Sequence, residues 1–426
     1  MMKEDGGGID RRGFLGTMGA AALGSVLGSS GGAAESSDAD SAVHNAQKEP
    51  QPARSPRVPR RTLGKTGIEI PVVGLGALWD ARENPGMLDR CLQYGVAYWD
   101  TASNYSNTRS EQGIGHHLAA HPGLRETLFI VTKTDDLRTP LPDVASIEKE
   151  LQDSLKRLNT HYIDLYCGVH ALWNPAQLTD EVKEWAAEAK RRGLIRHFGF
   201  STHKNMAQAL AAAAKLDWVD AILTGYNFQL MQDPELQAAI DACHEADIGL
   251  IAIKTQRNTT MREMNIETDE DRKLTDHFIQ RGYTAGQAKL KVVLEDTRIT
   301  AAAVGMRDPD ILATNVAAAV DRTTLTRKDK AVLEGYARAT CNRYCTGCAH
   351  ICDAALPDVP YVSDIMRYLT YYNSYGHHSR ARRLFARIPA DVRARLLDTD
   401  YTPAEARCPQ RLPIARIVRE AVGKLA

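Results

Sequence analysis

Ala97-Tyr98-Trp99-Asp100-Thr101-Ala102-Ser103-Asn104-Tyr105 reads as a short apolar strand that stops at an acid, followed by a small-residue turn and a tyrosine. The same pattern recurs on both sides of it. Short β-branched runs at 72–76, 128–133, 163–169, 197–201, 221–227, 249–254 and 300–305 alternate with stretches of three-four apolar periodicity, such as 147–158 and 178–192. Eight strands with a helix after each predict an α/β fold of the (β/α)₈ TIM-barrel type over residues 58–325. An open doubly wound sheet needs a glycine-rich turn after its first strand. Gly74-Leu75-Gly76 lacks the third glycine at that spacing.

The chain has 426 residues. A barrel accounts for roughly 250 of them, so leader, linker and a further module are expected. Hydrophobic residues make up 43% and charged residues 25%, ordinary for a globular protein. Lys+Arg and Asp+Glu both number 53, so there is no basic excess to suggest a nucleic-acid partner. Near the start, Asp10-Arg11-Arg12-Gly13-Phe14-Leu15-Gly16 precedes an apolar Gly/Ala-rich stretch and then small residues around 32–34. This is the layout of a signal peptide over residues 1–34. The apolar stretch is too short for a spanning helix, and no other segment is apolar enough for stable membrane insertion. Paired arginines before Gly-Phe-Leu resemble the twin-arginine export signal, which predicts a periplasmic or otherwise extracytoplasmic location. Residues 35–57, rich in Ser, Asp, Ala, Gln and Pro, read as a disordered tether.

In such barrels the chemistry sits where strands end and loops begin. Asp100 closes the second strand and Tyr105 lies in its loop. Lys133 ends the third strand and His170 the fourth. Singly, each has a plain structural reading: a helix cap, a solvated ammonium, a satisfied core imidazole. Together, on successive strand ends, they point to a catalytic site. A tyrosine titrates near 10. The Lys133 ammonium is expected to lower that value, with Asp100 holding Lys133 in place. His170 is expected to orient a carbonyl and hydrogen-bond its oxygen as charge develops. The product is a proton donor beside a pocket for a small-molecule carbonyl or alcohol, suited to hydride exchange with a nicotinamide.

Arg61-Thr62-Leu63-Gly64-Lys65-Thr66-Gly67, Gly74-Leu75-Gly76, Asp100-Thr101-Ala102-x-x-Tyr105 with Ser110-Glu111 and Gly115, Val131-Thr132-Lys133 and Asp164-Leu165-Tyr166 are the residues of a family resemblance. Over roughly residues 60–320 the chain resembles an aldo/keto reductase. The resemblance implies that Tyr105 is the proton donor, that Lys133 and Asp100 tune it, and that His170 positions the substrate. His170 stands one residue further from the Asp-Leu-Tyr run than is usual, which predicts a bulge that re-aims it. The cofactor residues it implies are Gly76, Ser201, Thr202, Asn227, Lys254, Gly305, Met306, Arg307 and Asn315. The family often has Ser-Asn where this chain has Ser201-Thr202, and often an aromatic near Lys254. Arg307 is suited to a 2′-phosphate, favouring NADP over NAD.

Of eight cysteines, Cys91, Cys167 and Cys243 lie in apolar segments and read as buried thiols. Cys341, Cys345, Cys348 and Cys352 are crowded, and Cys408 precedes Pro409. Such crowding suggests metal or cluster ligation rather than disulfides. Cys345-x₂-Cys348-x₃-Cys352 is close to an iron–sulfur spacing. Cys408-Pro409-Gln410 resembles the ending of ferredoxin-like modules, and some bacterial aldo/keto reductases carry a similar C-terminal module. The expected ligands of one 4Fe–4S cluster are Cys345, Cys348, Cys352 and Cys408, with Cys341 as the alternative fourth, in a helical module over 326–426. Cys341-x₃-Cys345-x₂-Cys348 also fits a radical S-adenosylmethionine spacing, against which its late position argues. A structural zinc is the other alternative. The amphipathic stretch 364–373 is expected to pack its aromatic stripe into the module's core. Export of a folded protein agrees with a cluster inserted beforehand, and implies a tightly bound nicotinamide and an electron-transfer partner. A non-catalytic barrel or an electron-transfer protein is the alternative function, since fold does not fix function.

Overall fold

A hairpin of β1 (Arg60–Thr62) and β2 (Glu69–Pro71) leads into eight parallel strands: β3 (Val73–Gly76), β4 (Tyr98–Asp100), β5 (Phe129–Lys133), β6 (Ile163–Leu172), β7 (Ile195–Thr202), β8 (Ala221–Gly225), β9 (Gly249–Ile253) and β10 (Ala301–Gly305). The sheet closes because β10 pairs with both β9 and β3. These coordinates, a computed structural model, describe residues 56–135, 142–256 and 267–426. The leader expected at 1–34, and nearly all of the expected tether, lie outside the described residues. All eight strands fall where the β-branched runs predict them.

The strands are apolar because both of their faces are buried. Inside the barrel, Tyr98, Phe129, Val131, Leu165, Leu223 and Ile251 form one cluster, which Leu63 and Ile70 join from the hairpin. The hairpin therefore plugs the end where the strands begin. Its approach is close: the Lys65 N–H donates to Asp247 O at 2.6 Å. Gly64 has φ +45°, and a Cβ there would sit 2.4 Å from Asp247 O, so glycine is required. Outside, several of the helices begin on side-chain caps. Asp143 accepts from Ala145 N and Ser146 N at the start of Val144–Arg157, and Thr179 accepts from Val182 N at the start of Asp180–Arg191.

After β10 the chain is helical. Helix Arg327–Ala339 adds Leu333 and Ala337 to the core around the barrel. Helices Ala349–Ala355, Val362–Asn373, His378–Ala386, Ala390–Arg395, Thr402–Arg407 and Ile414–Leu425 then enclose a second core, built on residues such as Ile365, Leu369, Phe385 and Ile417. This module docks on the mouth of the barrel. Lys204, just past β7, places its Nζ 2.8 and 2.9 Å from the two carboxylate oxygens of Asp364. Asn205 N donates to Gly347 O at 2.8 Å, and Gln229 Nε2, past β8, donates to Gln410 Oε1 at 2.6 Å. Gly347 has φ +85°, and a Cβ there would lie 2.1 Å from His203 O, so this contact too depends on glycine. No described helix is long and apolar enough to cross a membrane.

The Lys204 and Asp364 side chains are 4% and 2% exposed. Removing one partner of a buried pair strands the other charge. Asp364→Ala should lower stability by about 3–5 kcal/mol in urea unfolding, since it strands both Lys204 and the buried Arg367 that pairs with Asp364 at 3.4 Å, and adding Lys204→Met should restore part of that loss. Equal stability of wild type and Asp364→Ala would show that the pair does not clamp the module.

Candidate active site

β4 ends on Asp100, opposite Val131 of β5, and Lys133 follows two residues later. Lys133 Nζ donates to Asp100 Oδ1 and to Thr101 O, both at 2.6 Å. The turn after β4 brings Tyr105 back, so that its ring centroid is 4.9 Å from Lys133 Nζ. Asp100 and Lys133 are buried. Burial by itself pulls the ammonium down, but Asp100 and Tyr105 outweigh it and hold Lys133 above its ordinary value. Burial likewise pushes Asp100 up, against the pull of Lys133. The expectation for Tyr105 needs correction. Burial raises its hydroxyl, and Lys133 and Arg380 oppose that rise without overcoming it. Tyr105 thus holds its proton at neutral pH, as a donor must.

The bulge expected before His170 is present. Cys167 pairs with Gly199 and Val169 with Phe200, so Gly168 is an extra residue, and a second register shift separates Val169 from Leu172. β6 therefore runs three residues past the predicted 169, and His170 faces the cleft. His170 Nδ1 lies 2.7 Å from Thr134 O, which only accepts, so the proton in that bond is on Nδ1. Neutral His170 then presents Nε2 as an acceptor, suited to a substrate hydroxyl. It donates to a carbonyl oxygen only as the imidazolium.

A cleft of about 430 Å³ brings together Gly76, Asp100, Tyr105, Lys133, His170, Ser201, Lys254, Gly305, Met306 and Arg307. Gly76 and Gly305 pair in register across β3 and β10. A Cβ at Gly305 would meet nothing within 4 Å and would project into open space, so this edge is a bare backbone cradle. Ser201 Oγ accepts from Ala171 N at 3.1 Å and keeps its own proton to donate. The three other residues expected to hold cofactor do not line the cleft. Thr202 Oγ1 is committed to Leu172 O and Lys204 O. Asn227 caps a turn, accepting from Gln229 N and Leu230 N. Asn315 Oδ1 accepts from Gln256 Nε2 at 2.8 Å and stands behind that residue, which does line the cleft.

The roof comes from the C-terminal module: Tyr371, Ser374, Tyr375, His377 and Arg380. None is expected there from the sequence. The one signal was the aromatic stripe of 364–373. It does enter the second core, through Tyr368 and Tyr371, but Tyr371 also faces the cleft and stacks on Tyr375 with centroids 5.9 Å apart. Lys254, in the left-handed region at φ +59°, places its Nζ 5.9 Å from the Tyr371 ring centroid.

Cys345, Cys348, Cys352 and Cys408 line one cavity with Val362, Met366, Leu412 and Ile414; Cys341 does not. No disulfide joins any of the eight cysteines. Burial pushes Cys345 up to about 12 and raises Cys348 and Cys352 as well. Leu412 N donates to Cys408 Sγ at 3.5 Å, an N–H···S bond of the kind that tunes cluster sulfurs. A tetrahedral zinc with Zn–S bonds of about 2.3 Å needs sulfurs roughly 3.8 Å apart. Among the described residues, the three ligand atoms that lie within 4.8 Å of one another are those of Asp89, His117 and His121, not the thiols.

The match to known proteins follows this geometry. Residues 78–334 match the model of the aldo/keto reductase family. The chain belongs to that family. The oxidoreductase YqkF of Bacillus subtilis is 33% identical over 153 residues, 34% of this chain and 48% of that protein. Methylglyoxal reductase DkgA of Escherichia coli is 34% identical over 139 residues, 31% of this chain and 46% of that protein. The chain thus spans about half the length of these curated relatives. In fold it resembles the aldo-keto reductase AKR11C1 from Bacillus halodurans, with TM-score 0.56, 22% identity, and 66% of this chain and 96% of that one covered. It also resembles an aldo-keto reductase from Klebsiella pneumoniae in complex with NADPH, with TM-score 0.51, 21% identity, and 66% and 94% covered.

His377 gives a test of the roof. Burial, then Arg380 and Arg307, lower it from 6.5 to about 4. Between those values the unfolded chain binds a proton that the folded chain does not, so stability falls as pH drops through this window. His377→Asn should make the fall shallower in urea titrations at stepped pH. Parallel curves for the two proteins would mean that His377 titrates normally.

Proposed function

We propose that the chain is an NADP-dependent oxidoreductase (NAD being the alternative cofactor) that reduces a small-molecule carbonyl or oxidises the corresponding alcohol. The observation that carries this reading is Lys133, buried between Asp100 Oδ1 and the Tyr105 ring at the wall of the cleft. The NADPH complex of the Klebsiella pneumoniae protein supports the cofactor class. In this chain Arg307 would hold a 2′-phosphate, Ser201 the carboxamide, and the Gly76–Gly305 edge the closely approaching ring. When bound, the nicotinamide supplies or accepts hydride. Tyr105 Oη gives its proton to the carbonyl oxygen. Lys133 offsets the phenolate left behind, and Asp100 keeps Lys133 in place and charged. Tyr105→Phe should lower kcat/KM for aldehyde reduction by about 10²–10⁴-fold, with NADPH binding, read by fluorescence, retained. Undiminished turnover would contradict the assignment.

We further propose that Cys345, Cys348, Cys352 and Cys408 hold one 4Fe–4S cluster, supported by the cavity they share. Cys345 also lines a cavity with His203, Lys254 and Tyr375, all three residues of the reductase cleft. This proximity supports coupling between the two sites and a partner that exchanges single electrons with the cluster. The twin-arginine segment supports export with cluster and nicotinamide in place. Anaerobically isolated protein should be brown, with about four iron and four sulfide per chain. Cys408→Ser should lose iron, and Cys341→Ser should keep it. Colourless protein with stoichiometric zinc would overturn the cluster.

A further inference from the structure

The cleft carries more positive charge than the cofactor accounts for. Lys133, Lys254, Arg307 and Arg380 line it, and Asp100 is the one carboxylate among its described lining residues. Lys133 is matched by Asp100, and Arg307 by the proposed 2′-phosphate. Arg380 is different. Its guanidinium carbon lies 5.6 Å from the Tyr105 ring centroid and 5.4 Å from that of Tyr371, directly beside the proton donor. Its Nη1 donates to Asn104 O at 3.3 Å and to Asn104 Oδ1 at 3.1 Å. Asn104 is itself fixed, because its Nδ2 donates to Asp135 Oδ1 at 2.6 Å. Arg380 is thus preoriented by neutral oxygens, while its Nε is screened from water without a hydrogen-bond partner.

A buried donor without a partner calls for explanation. Here the unpartnered Nε belongs to the Nε–Nη2 edge, a planar fork that matches a carboxylate in bidentate fashion once the neighbouring roof side chains that screen it move aside. Arg380 also walls a neighbouring cavity of about 350 Å³, together with Arg383 and Arg387 of the same helix face. Arg157 lines it too, against the carboxylates Asp135 and Glu150, so four arginines face two acids on this approach to the cleft.

We propose that Arg380 binds the carboxylate of an oxo-acid substrate, so that the C-terminal module selects a carbonyl compound bearing a carboxylate a few atoms from the reacting carbon. The proposal rests on the reductase reading and names its substrate class. In the reaction the carbonyl carbon takes hydride from NADPH, the C=O π bond breaks, and the oxygen takes the Tyr105 proton. A hydroxy acid and NADP⁺ leave, and solvent returns a proton to Tyr105.

The test compares succinate semialdehyde, butanal and glyceraldehyde 3-phosphate as substrates of the full chain, with calorimetric binding of benzoate to its NADP⁺ complex. Wild type should favour the semialdehyde acid. Arg380→Gln should cut the acid-to-butanal ratio of kcat/KM at least roughly 30-fold, mainly through KM, and weaken benzoate comparably. Arg380→Lys, which keeps the charge without the fork, should recover part of both. An unchanged ratio and unchanged benzoate affinity in Arg380→Gln would overturn the proposal, as would a preference for the phosphorylated aldehyde. If no aldehyde is reduced while benzoate binding still depends on Arg380, the reductase reading fails and the carboxylate subsite stands.

Discussion

The buried ion pair between Lys204 and Asp364 decides what the mouth of the barrel contains. The C-terminal strand ends of a barrel usually open to solvent, and this pair is one of the contacts that cover them here. With it, helix Val362–Asn373 and the segment that follows lie across the opening. The Gly347 contact at His203 O and the Gln229–Gln410 bond fix the same placement from other sides. The site is consequently built in two parts. The barrel supplies the tyrosine, lysine, aspartate and histidine, and the cysteine module supplies the roof of tyrosines, histidine and arginine above them.

Covering a charged site has electrostatic consequences. Exclusion of water strengthens every charge interaction inside it and penalises every unmatched charge. Lys133 stays charged because Asp100 and Tyr105 outweigh its burial. Tyr105 stays protonated because burial outweighs Lys133 and Arg380. His377 stays neutral because burial and two arginines act in one direction. The remaining excess of positive charge leaves the roof poised for anions from outside the chain.

The barrel was legible because its signal is local: β-branched runs at a regular spacing, each followed by a helical period. Asp100, Tyr105, Lys133 and His170 were legible because strand ends are where barrels carry chemistry, and even the bulge before His170 showed as one residue too many. Thr202, Asn227 and Asn315 lie off the cleft because their side chains bond to neighbouring protein groups, and only the partners of a polar side chain tell such a residue from a ligand-binding one. Arg380 and Tyr371 were invisible for another reason. They lie far along the chain from the strands they face, and no periodicity encodes that docking. The lowering expected for Tyr105 failed because a sequence shows the neighbouring charge but not the burial that opposes it.

The central claim is that the cysteine module, held together by a cluster, completes the reductase site. The direct measurement is NADPH-dependent carbonyl turnover by anaerobic protein before and after iron is chelated, with circular dichroism following the barrel. The account predicts that turnover collapses on chelation while the barrel's signal persists, and that reconstitution with iron and sulfide restores it. Turnover that is indifferent to iron would contradict it.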